Sequence, residues 1–133
     1  MPTINTDKVC YVVVKARELE SEDEGVDADA SNPSDDRFVS VMTEEAYDTV
    51  RQEIAAYIDA MDEEEQIELV ALAWVGRGDF AADEWEDALR EARLRREGAT
   101  SAYLLGAPLL AAHLENGLSE FGESCALFAS DRQ

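Results

Sequence analysis

The stretch that most limits what this chain can fold into is Gln66 to Trp85, QIELVALAWVGRGDFAADEW. It opens with Ile67, Leu69, Val70, Ala71, Leu72, Ala73, Trp74 and Val75, an apolar run with almost no polar side. A helix of that kind must be covered on several faces at once, so its neighbours are obliged to wrap it. The run stops at Gly76-Arg77-Gly78-Asp79, and Phe80 and Trp85 open another helix. The spacing predicts a central helix, a tight corner, and a second helix folded back onto the first.

The flanking segments have the patterns needed for wrapping. Thr6 or Asp7 can cap a first helix whose Val9, Val12, Val13, Ala16 and Leu19 share one face. The β-branched run from Cys10 to Val14 also suits a strand. No second strand-like run exists to pair with it, so a helix is expected. Thr43 can cap a second helix with Glu44 and Glu45 in its positive first turn. Its stripe is Tyr47, Val50, Ile54, Tyr57 or Ile58, and Met61, at spacings of three and four. Asp62 and Glu65 form a capping-box pair at the start of the central helix, so these two helices meet with little linker.

Beyond the glycine corner, Phe80, Glu84 and Trp85 sit at the N′, N3 and N4 positions of a hydrophobic staple. Trp85, Ala88, Leu89 and Ala92 line one face, while Glu86–Arg90 and Glu91–Arg95 are acid-to-base pairs at i,i+4 on the other. Arg93, Arg95 and Arg96 crowd the last turn before Gly98, where the helix dipole favours positive charge. Thr100 can cap a short turn through Tyr103, Leu104 and Leu105. Pro108 suits the first turn of a final helix burying Leu110, Leu114, Leu118 and Phe121. The expected fold is all-α, a compact bundle of about five helices around the buried central one, in a single domain spanning 1–133.

One segment departs from this pattern. Glu18 to Glu45 holds eleven acids against the single base Arg37, with Gly25 and Asn32-Pro33 among them. Self-repulsion and the missing apolar period predict a long acidic loop over about 20–42, partly mobile. Phe38, Val39, Val41 and Met42 are candidates for tying its far end to the core.

Charge excludes some functions. Over 133 residues the formal net charge is −20, which repels nucleic acid backbones and anionic membrane surfaces. Neither direct nucleic acid binding nor a membrane partner is expected. No apolar run reaches the 18 or so residues that span a bilayer. The opening residues, Met1 to Lys8, lack a charged segment followed by an apolar one, so a cytoplasmic location is expected. The bases are nine Arg and only Lys8 and Lys15, a balance that suits high salt as well as an ordinary acidic protein. Cys10 and Cys125 stand at opposite ends of the chain and match no metal pair or disulfide framework, so two reduced thiols are expected.

Four stretches carry a resemblance: KVCYVVVKARE (Lys8 to Glu18), SNPSDD (Ser31 to Asp36), LVALAWVGRGDFAADEWEDAL (Leu69 to Leu89) and YLLGAPLL (Tyr103 to Leu110). In that order they resemble an uncharacterised family of small, acidic bacterial proteins. The resemblance implies a bacterial origin and one compact domain. It brings no activity, substrate or catalytic residue.

Few residues present themselves as chemistry. Asp27, Asp29, Ser31 and Asp35 have oxygens spaced like a calcium loop. Asn32 stands where that loop needs glycine and Phe38 where it needs a bidentate acid, so a solvated loop is expected. Glu63, Glu64, Glu65 and Glu68 lack the Glu-x-x-His partners of a di-metal bundle and read as first-turn charges and solvated face. His113 is the only histidine. Without a second His or Cys nearby it makes no metal site, and no nucleophile and orienting partner are placed for it to act as a base. Gly76 to Asp79 offers amides and the Arg77 guanidinium to an anion, but helix capping accounts for these residues without a ligand.

No cofactor, metal or catalytic residue is therefore assigned. The expected function is a small interaction module that recognises another protein or itself. Its candidate contact residues are Arg77, Asp79, Arg90, Arg93, Arg95 and Arg96. Alternatives are an acidic mimic of nucleic acid that blocks a basic DNA-binding protein, and an enzyme with an unrecognised site, which a pocket lined by Arg77, Asp79 and His113 would favour.

Overall fold

The structure, a computed structural model, describes the backbone of residues 2–28, 33–126 and 128, and the side chains of 2–20, 45–126 and 128. Among the described residues there are six α-helices and no strand. They are α1 (Thr6–Ala28), α2 (Pro33–Asp59), α3 (Glu63–Arg77), α4 (Trp85–Leu94), α5 (Thr100–Leu105) and α6 (Leu110–Glu120), with one 3-10 turn at Ala82–Glu84.

The apolar run is the hub. Ile67, Leu69, Ala71, Leu72, Ala73, Trp74 and Val75 are all buried in α3, which packs against α6, α4 and α5. The valine-rich start of the chain is helical, because Val9, Val12, Val13, Ala16 and Leu19 form one buried face. That face lets α1 pack on both α2 and α6. Val50, Ile54, Ile58 and Met61 bury the predicted stripe of α2. α2 packs chiefly on α1 and α5, so the junction at Asp62 is a corner between layers rather than a hairpin.

The helices α3 and α6 cross at close range. A Cβ added at Gly76 would lie 1.6 Å from the backbone oxygen of His113, and one at Gly117 would lie 2.3 Å from the backbone oxygen of Leu72. The two helices meet backbone to backbone there, which only hydrogen side chains permit. Gly76 therefore belongs to the helix interior. The corner is made by Gly78, at φ 97°, whose N–H donates to the carbonyls of Trp74 and Val75 at 3.1 Å.

Several sequence expectations need correction. The acidic segment expected as a loop over about 20–42 is helical over 20–28 and 33–42, and residues 29–32 lie outside the described residues. Glutamates are good helix formers, and backbone hydrogen bonding does not require an apolar face. Thr43 is consequently inside α2 instead of capping it, and Phe38, Val39, Val41 and Met42 lie outside the described side chains. The oxygen that caps α1 is Asn5 Oδ1, which accepts from Asp7 N at 2.7 Å. α6 begins after Pro108, with Leu109 at φ 58° before it.

The cysteines are the largest surprise. Cys10 and Cys125 form a disulfide with their Cα atoms 5.4 Å apart, against the expected pair of reduced thiols. A separation of 115 positions says nothing about distance once α6 lies against α1 and carries residue 125 back to the start of the chain. Glu68 is the other correction. It is buried, and its carboxylate accepts from Thr3 N (2.7 Å), Thr3 Oγ1 (2.5 Å) and Ile4 N (2.9 Å). Three donors compensate a charge that would otherwise be expensive to bury, and they pin the start of the chain to α3.

Candidate functional site

The corner after α3 builds one wall of a cavity. Gly78 and then Asp79 donate their amides back to the last turn of α3, Asp79 N reaching Trp74 O at 3.0 Å. This reversal stacks Phe80 on Trp74, with centroids 6.1 Å apart at 27°. It also sets Asp79 against Arg77, whose Nε donates to Oδ2 at 2.7 Å. Asp79 raises the pKa of Arg77 further above its ordinary value, so this guanidinium stays charged. The staple positions are filled, but Phe80 contacts Trp74, and Trp85 goes edge-on against Phe121 with centroids 5.2 Å apart.

The opposite wall comes from α4 and α5. Trp74 Nε1 donates to Tyr103 Oη at 2.9 Å, which holds α5 beside α3. Between these elements lies a cavity of about 850 Å³. Its floor is apolar: Ile67, Val70, Trp74, Phe80 and Ala92. Leu94 and Tyr103 stand at its edge with Arg77, Arg95, Arg96 and Glu97. Leu94 is 72% exposed and Tyr103 46%. Together with Leu109 these are the large hydrophobic side chains left exposed among the described residues.

Of the arginines predicted as contact residues, Arg77, Arg95 and Arg96 line the cavity while Arg90 and Arg93 do not, and each of the five is paired. Arg90 pairs with Asp87 at 2.8 Å, in place of the Glu86 expected from spacing. Arg95 pairs with Glu91 at 2.9 Å, as the i,i+4 pattern predicts. Arg93 reaches across to Glu64 at 2.9 Å, which raises its pKa, and Arg96 to Glu63 at 3.2 Å and Gln66 Oε1 at 2.6 Å. Glu63 and Glu64 thus tie the first turn of α3 to the end of α4. Exposed pairs of this kind contribute little stability, but they leave the arginine cluster with its charge matched on the same molecule.

His113 is half-buried on α6 and does not line the cavity; its backbone carbonyl faces Gly76. Neither cysteine lines it either. The ionisable groups lining the cavity are Arg77 with Asp79, Arg95 with Glu91, Arg96, Glu97 and the Tyr103 phenol, an arrangement that can hold a charged or amphipathic surface. Among the described residues no three His, Cys, Asp or Glu are placed to hold a metal ion, and the suggested calcium residues Asp27 to Asp35 lie outside the described side chains. No helix among them is long and apolar enough to cross a membrane.

Leu94 and Tyr103 were missed as site residues. A signal was present for Leu94: at about 100° per residue it falls on the side of α4 opposite Trp85.

These features define an all-α protein with a cavity of mixed apolar and charged lining beside its central helix. The family described as a protein of unknown function (DUF3775) matches residues 51–123, and the chain belongs to it. The matched span runs from the second half of α2 to just beyond α6, so it contains every element that builds the cavity. No curated protein and no solved structure matches the chain.

Proposed function

We propose that this protein is an interaction module that recognises another protein through the cavity between α3, α4 and α5. One observation carries the reading: two of the three large hydrophobic side chains exposed among the described residues, Leu94 and Tyr103, line the same cavity, which has apolar and charged walls. Exposed apolar surface gathered at one depression marks a contact site far more often than the same residues scattered singly. The cavity is also of the size that ligand and anchor-residue sites have, roughly 300–1,000 Å³. The cis-paired arginines serve as a rim that orients a partner, in keeping with the polar edge of protein interfaces.

Nucleic acid mimicry has less support. Carboxylates such as Glu63, Glu64, Asp87 and Glu91 face arginines on the same molecule, which breaks up the rows of free charge a mimic needs. A cytoplasmic home, expected from the opening residues, stands against the Cys10–Cys125 bond, since disulfides persist in oxidising compartments. Alkylating thiols at the moment of lysis, then measuring intact mass, decides between the two.

The test of the module is affinity capture from native lysate with three immobilised proteins: wild type, Leu94→Asp and Leu109→Asp. Partners retained by wild type and by Leu109→Asp, but lost from Leu94→Asp, are the expected result. Equal recovery on all three would remove the cavity as the recognition surface.

A further inference from the structure

We infer that the occupant of this cavity is a cationic amphipathic segment of another protein, its apolar side chains on the floor and its lysines or arginines against the surrounding carboxylates. The inference rests on the interaction reading above and adds the partner's chemistry. The floor of Ile67, Val70, Trp74 and Phe80 selects for large apolar side chains. What surrounds it selects for charge. The charged side chains that line the cavity are Arg77, Arg95 and Arg96 with Asp79, Glu91 and Glu97. All three of these arginines already face an acid on the same molecule, Arg96 reaching Glu63 outside the lining, so one lining carboxylate is left over in a chain of net charge −20. That carboxylate is Glu97, which makes no ion pair among the described residues and is open to a partner's cation.

The same charges argue against other occupants. Two copies of a chain carrying −20 repel each other, most strongly at low ionic strength. An acidic segment meets both the net charge and an arginine rim whose capacity is already used. A positively charged partner is drawn in from a distance by the whole molecule and then held by the apolar floor. An amphipathic helix laid in a groove between helices is the established form of such recognition.

Fluorescence anisotropy tests this with three labelled peptides of about 15 residues, long enough for helical patterning to matter. One has leucines and lysines at helical spacing, one replaces each lysine by glutamate, and one replaces each leucine by serine. At about 0.15 M salt the Leu/Lys peptide should bind at least roughly tenfold more tightly than either of the others. Leu94→Asp should weaken it by about tenfold, although the added negative charge acts in the opposite sense, and Leu109→Asp should leave it unchanged. Glu97→Gln should weaken it about threefold. If the Leu/Glu peptide binds as well and still depends on Leu94, the cavity stands as an interaction site and the cationic partner is overturned. If the Ser/Lys peptide matches the Leu/Lys one, or Leu94→Asp changes nothing, the attraction is charge alone and both readings fall. Absence of binding by every peptide, or a dimer at low salt that Leu94→Asp dissolves, overturns the inference as well.

Discussion

Gly76 and Gly78 stand two positions apart and are glycine for different reasons. At Gly76 the constraint is space, since a methyl group would press on the carbonyl of His113 in a neighbouring helix that cannot move alone. At Gly78 the space is open and the constraint is φ at 97°. Gly76→Ala should therefore cost about 3 kcal/mol and lower the melting temperature by roughly 10 °C. Gly78→Ala should cost about 1 kcal/mol. Thermal melts of the two variants check the order, and an equal loss would contradict the close crossing. Leu109 shows the reverse situation: an exposed leucine at φ 58° precedes α6 without capping it. Leu109→Asn places a residue that tolerates this conformation and should raise the melting temperature by a few degrees. Glu68 belongs to the same scale. From the sequence it reads as solvated face, and nothing in the local sequence named Thr3 and Ile4, more than sixty positions away, as its donors.

Among the elements, the start of α3 shows how local and distant contacts combine. The capping box is complete: Glu65 N donates to Asp62 Oδ1 at 2.8 Å, and Asp62 N to Glu65 Oε1 at 3.0 Å. Lys8 of α1 adds an ion pair to Glu65, and that ammonium, with the Asp62 amide second, holds the Glu65 carboxyl below its ordinary pKa. The stabilisation it contributes is present above the range where a free glutamate titrates, near 4.3, and is lost as the pH falls through the lower folded value. Lys8 is shifted upward by the same contact, so its share is lost only when the pH rises above the usual lysine range. Acid titration followed by circular dichroism should show Glu65→Gln destabilised at pH 7, with its deficit against wild type shrinking below about pH 4. The box was legible because it depends on residues three apart. The helical state of α1 followed from its period, whereas the helical extension through 20–28 and 33–42 did not, because that segment has no apolar stripe to read.

At the scale of the whole molecule, one covalent and one electrostatic feature act across the fold. The Cys10–Cys125 bond closes a loop of more than a hundred residues, for which the chain-entropy estimate is about 4–5 kcal/mol. Reduction should accordingly lower the melting temperature by roughly 10–20 °C, and a thiol count on denatured, unreduced protein should find none. A net charge of −20 should make stability rise as salt is added up to a few tenths molar, then level as screening is complete. A flat response would mean that the ion pairs across α1, α3 and α4 already balance the repulsion.

By itself the sequence determined the helical class, the hub at Ile67 to Val75, the buried stripes and the cap of α3, because each depends on periods and spacings within a few turns of chain. Only the tertiary structure decided that Cys10 meets Cys125, that Glu68 holds the first residues, that the arginines spend their charge on nearby acids, and that Leu94, Trp74, Phe80 and Tyr103 enclose one cavity. Those facts arise where helices distant in sequence come into contact, and the free energy of such contacts depends on which faces meet, a quantity no local pattern contains.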